Sequence, residues 1–158
     1  MREGQESADV LQALEQERAQ ILDAACESLR QSRTHYASAG EEETRRRVEA
    51  LYDELLGALS TRDLGSIVDY AGRLGAERFD SGYDLSEVQS AFNAVEEAAW
   101  TVLCARMRPE QLAVSLGLVS TVLGAAKDAL GREYVSLASR THAPSLDLLA
   151  LFTGDAGA

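Results

Sequence analysis

Proline is absent from the first 108 residues, and only Pro109 and Pro144 occur in the whole chain. An interior proline removes a helical hydrogen bond and clashes with the preceding turn, so its absence leaves long helices open almost everywhere. Ala, Leu, Glu and Arg dominate while β-branched residues are few, a composition of strong helix formers. Apolar residues make up 46% of the 158 positions, enough for one domain to bury a core of its own.

Apolar spacing predicts five helical segments. The first is expected from Ser7 to Ala37, carrying Leu11, Leu14, Ile21, Leu22, Ala25 and Leu29 at three-four spacing and ending at Gly40. The second, Glu41 to Leu59, has three acids in its first turn, where the helix dipole favours them. Its Arg45-Arg46-Arg47 run reads as a solvated face. The third is expected over Asp63 to Asp80 and is ended by Ser81-Gly82. The fourth has the clearest start: Asp84 followed three positions on by Glu87 is a capping box, and Tyr83 before it can staple onto Val88. Its stripe through Val88, Phe92, Val95, Ala99 and Val102, widened by Trp100 and Leu103, predicts packing on two sides. The fifth opens at Pro109, a favoured first helical position, and runs to about Ser139. No convincing strand or repeat interrupts the pattern. The fold class is all-α: a five- to six-helix bundle with long first and last helices. Residues 1–6 are expected to be a disordered lead and 7–140 the domain. Residues 141–158 are read as a loop, a short amphipathic segment from Leu146 to Phe152, and a tail.

Gly117, Gly124 and Gly131 recur every seven residues on the fifth segment. Three glycines on one side weaken an isolated helix, which makes sense if another helix approaches closely there. With the nearly continuous apolar stripe, they predict a homodimer formed through the long terminal helices.

A net charge of −11 disfavours direct binding to nucleic acid or to an anionic membrane surface. No stretch reaches about 18 consecutive apolar residues, and the polar start has no apolar h-region, so neither a membrane span nor a signal peptide is expected. A cytoplasmic location follows as an expectation. Cys26 and Cys104 are too few for a disulfide framework and are read as buried free thiols.

Chemistry is sparse. His35, near the end of the first segment, and His142, in an expected loop, are poor haem-ligand candidates. No Glu-x-x-His pair, phosphate loop or nucleophile elbow occurs, and Gly72, Gly75 and Gly82 do not lie between a strand and a helix. No catalytic, metal or cofactor residue is proposed. The candidates for a ligand pocket or interface are Arg78, Phe92, Trp100, Gly117, Gly124, Gly131 and Tyr134. Phe92 and Trp100 could line a small-ligand cleft or a dimer face.

The stretch Leu74, Glu77-Arg78, Gly82, Leu85, Val88, Ala91-Phe92 and Trp100 resembles the RsbT co-antagonist (RsbRD-type) N-terminal domain family. Similar domains head PucR-type regulators, and the compatible helix order extends over roughly Val10 to Tyr134. The resemblance implies a sensory or scaffolding domain, often dimeric, that passes a signal to an attached output domain in stress-response or transcription control. Related inputs look like globins that have lost haem, so a globin-like arrangement and a small-molecule receptor role are the alternatives it allows. It supplies no catalytic residue. After Tyr134 there is too little sequence for an output domain, so the chain is expected to be an excised piece or a stand-alone member acting through a partner regulatory protein.

Overall fold

The computed structural model describes residues 2–32 and 39–142, which form six helices and no strand. They are α1 (Arg2–Gln16), α2 (Arg18–Gln31), α3 (Glu41–Thr61), α4 (Gly65–Asp80), α5 (Leu85–Arg106) and α6 (Pro109–His142). The all-α bundle agrees with the periodicity. The segment Leu146 to Phe152 and His35 lie outside the described residues.

Two boundaries differ from expectation. Helix starts at Arg2, so residues 2–6 are helical rather than an unstructured lead. The expected long first helix is broken at Glu17, where φ is −100° and ψ is 18°. Neither Gly nor Pro stands there, and the groups around the break are tertiary. The buried Tyr52 of α3 donates its hydroxyl hydrogen to the Leu14 carbonyl at 2.7 Å, satisfying a carbonyl in the last turn of α1. Glu17 itself pairs with Arg106 at the end of α5. A further difference lies at the far end: Thr141 and His142 are still helical, not part of a loop.

Starts and stops follow local chemistry. At α5 both halves of the capping box form, with the Asp84 backbone N–H donating to Glu87 Oε2 at 3.0 Å. At the start of α4, Asp63 Oδ1 accepts the Gly65 N–H at 2.9 Å. α4 ends in a Schellman arrangement: Gly82, at φ 81°, sends its N–H to the Phe79 carbonyl, and Tyr83 sends its N–H to that of Arg78.

The core lies between α5, which contributes Val88, Phe92, Val95, Ala99 and Leu103, and the helices around it. α5 packs on both α2 and α6, as its wide stripe predicts. The most extensive helix pair is α4 on α6, and Gly75 explains how closely they come. A β-carbon there would sit 3.2 Å from Glu133 Cβ and 3.3 Å from Leu130 Cδ1.

Candidate interaction surface

α6 is the element whose two sides differ most. Inward, Val119, Leu123, Ala126 and Leu130 are completely buried. Outward, no charged residue occurs between Glu110 and Lys127, yet Ala113, Val114, Gly117 and Thr121 face away from the bundle. By length and mean hydropathy the segment Pro109–Thr141 could cross a membrane. Its inner side is committed to the core, however, and charge resumes at Lys127, Asp128, Arg132 and Glu133.

The glycine series lies on this outer side. A β-carbon at Gly117, Gly124 or Gly131 would meet nothing within 4 Å, so no helix among the described residues makes the expected close approach. Spacing predicts that the three share a face because seven residues are close to two turns. It does not say which way that face points.

Exposed apolar side chains border the strip. Val114 is 42% exposed, and Leu64, in the turn between α3 and α4, is 37% exposed. Between them runs a groove of about 620 Å³, walled by Leu59, Gly117, Leu118 and Val122 and edged by Glu6 and Arg62. On the α5 side, Glu96 accepts hydrogen bonds from Ser120 at 2.9 Å and Lys127 at 2.8 Å, which ties α5 to α6. Trp100 follows one turn along α5 and is 40% exposed. Leu103 is buried as expected, but Trp100 is not part of the core stripe. Phe92 is completely buried, so it and Trp100 do not line a common cleft. Cys104 is exposed rather than buried, whereas Cys26 is half-buried and its thiol is pushed up by that burial.

Arg78 and Tyr134 meet at the opposite end of α6, around Tyr83. The Arg78 guanidinium lies 5.5 Å from the Tyr83 ring centroid and that of Arg47 lies 5.7 Å away, both within cation–π range. Arg47 also donates to the Tyr83 hydroxyl at 2.8 Å. Tyr134 donates to the Tyr83 carbonyl at 2.9 Å and meets Phe79 edge-on at 5.5 Å. Arg78 is only 5% exposed, and its Nε finds no acceptor among the described residues. This is a structural clasp: Arg78 and Tyr83 are the two positions that a Schellman ending brings into contact. Arg45 and Arg46 do face solvent-side acids, Asp23 and Glu43. Arg47 departs from the solvated-face expectation and turns inward to the clasp. Tyr83, Leu64 and Val114 are absent from the sequence-derived candidates. A cue existed for Tyr83 alone, since it directly follows the helix-ending glycine.

No curated protein and no solved structure matches the chain. The model of the RsbT co-antagonist protein rsbRD N-terminal domain matches residues 7–144, which include the Glu77-Arg78, Gly82 and Ala91-Phe92 positions of the clasp and core. With most of its length matched, the chain belongs to the RsbT co-antagonist protein rsbRD N-terminal domain family, regulatory domains of stress-response signalling.

Proposed function

We propose that the chain is a non-catalytic signal-input domain of the cytoplasm that works by protein–protein contact, with a copy of itself and with a partner regulatory protein or output domain. One observation carries this reading: the outer side of α6 is uncharged over several turns and is flanked by Val114, Leu64 and Trp100, all more than a third exposed. Large exposed apolar patches of this kind, rimmed by charge, mark contact sites on small domains. A net charge of −11 elsewhere favours solubility and argues against nucleic acid as the direct partner.

The test is affinity capture from the native cell with the whole chain and with a Leu64→Asp/Val114→Asp variant of unchanged helical dichroism. The reading expects a regulatory protein retained by the first and released by the second. Identical captured sets from the two would reject it. A second reading, a small-molecule receptor, is favoured by the groove beside Leu118, whose volume is in the ordinary range for ligand sites. A thermal shift against a metabolite panel supports that reading, provided that a Gly117→Leu substitution abolishes it.

A further inference from the structure

The groove beside Leu118 is apolar along its walls and carries charge only at its rim. Ala58, Leu59 and Val122 are buried where they line it, and Leu64 and Val114 stand exposed at its margins. Glu6 and Arg62 are the ionisable groups among its lining residues. Its volume of about 620 Å³ suits a small molecule. Leu64 and Val114 keep apolar surface in water there, and an occupant of the groove would remove part of it from solvent.

Arg62 is the unusual member of this set. Among the described residues it alone combines a side chain with a positive φ, at 56° with ψ 35°, just past the end of α3. After α4 the left-handed position belongs to Gly82, at 81°. A β-carbon is disfavoured in that region, so glycine would suit the end of α3 better than arginine. The guanidinium is not used to hold the bundle together, since among the described residues it makes no ion pair or hydrogen bond, with Glu6 or with any other group. Its Nη2 lies against the start of α1, 3.4 Å from where a β-carbon on Gly4 would stand. Backbone strain that presents an idle cation to a groove is a feature of binding sites more than of ordinary turns.

An apolar trough with one unpaired cation on its rim fits a molecule divided in the same way. Its apolar body would leave water along Leu59, Leu118 and Val122, and one carboxylate would meet the planar guanidinium, which can hold both oxygens. Glu6 limits the charge: a second anionic group would face it, and the net charge of −11 repels dianions at longer range. We infer that this groove binds a small monocarboxylate with an apolar body, its carboxylate seated on Arg62. The inference rests on the receptor reading given above and names its ligand class.

The experiment is calorimetric titration of the 158-residue chain with octanoate, decanoate and the uncharged 1-octanol, all below micelle-forming concentrations. Decanoate should bind about tenfold more tightly than octanoate, the worth of two further buried methylenes. Arg62→Gly should weaken both acids about tenfold and leave 1-octanol unchanged, because only the acids use the guanidinium. Its melting temperature should not fall, since glycine relieves the left-handed backbone. Gly117→Leu, which fills the groove, should abolish binding of all three. Equal affinity for the two acids, an Arg62→Gly chain that keeps its affinity for them, or binding that survives Gly117→Leu would each overturn the inference. The receptor reading fails separately. If no carboxylate binds while another metabolite gives a thermal shift that Gly117→Leu abolishes, that reading stands and the monocarboxylate assignment falls.

Discussion

Gly75 on α4 and the glycines of α6 look alike in the sequence, each a small residue in a helix interior, and the structure uses them in opposite ways. A side chain at Gly75 would press on Glu133 and Leu130, because α4 and α6 approach through it. At Gly117, Gly124 and Gly131 the same atom would meet open space. The first is explained inside one chain. The others weaken α6 without a compensating close contact among the described residues, and the proposed contact face is where bare backbone would be used. The difference teaches that a glycine series marks a side of a helix, and that only packing shows whether this side is core or contact.

Substitutions can break or sharpen that contrast. The largest effect is expected on the inner side of the bundle: Phe92→Ala, at a completely buried ring, should cost about 3–5 kcal/mol in denaturant unfolding. Gly75→Leu should cost about 1–3 kcal/mol by overpacking the α4–α6 contact. A cost near zero would mean that this approach is not tight. Tyr52→Phe should cost about 1 kcal/mol at neutral pH by losing the bond to the Leu14 carbonyl. Burial also pushes the Tyr52 hydroxyl well above the ordinary tyrosine range, so the fold favours the neutral phenol. That contribution is intact below about pH 10, where unfolded tyrosine ionises, and falls as pH rises beyond it. Urea melts from pH 8 to 11 should show a steeper alkaline loss for the unaltered chain than for Tyr52→Phe. The smallest effect has the opposite sign. Gly131→Ala, read at concentrations where the chain is monomeric, should stabilise it by about 0.5–1 kcal/mol through helix propensity alone. A destabilisation there would erase the contrast with Gly75.

How much was legible follows from where each signal resides. The start of α5 lies in four consecutive residues, Asp84 to Glu87, and Pro109 announces α6, so local chemistry suffices for both. The break at Glu17 does not lie in local residues. It coincides with Tyr52 from α3 and Arg106 from α5, groups distant in sequence, and periodicity runs through it undisturbed. The same division governs the site. That Gly117, Gly124 and Gly131 share a side is a matter of helical pitch, whereas its outward direction depends on how α4 and α5 flank α6. Trp100 is apolar and close to the α5 stripe, so pattern alone assigns it to the core, yet it is rotated far enough to face out. Arg47 is indistinguishable from Arg45 and Arg46 by type, and only the position of Tyr83 singles it out.

The most direct test of α6 as a contact helix is a concentration series in sedimentation equilibrium for the chain and for Gly124→Leu. A β-carbon at Gly124 meets nothing within 4 Å in the bundle, whereas a leucine would push away a helix packed on that side, so unaltered helical dichroism and a loss of dimer mass are expected. A Gly124→Leu chain that self-associates as strongly as the original would contradict it.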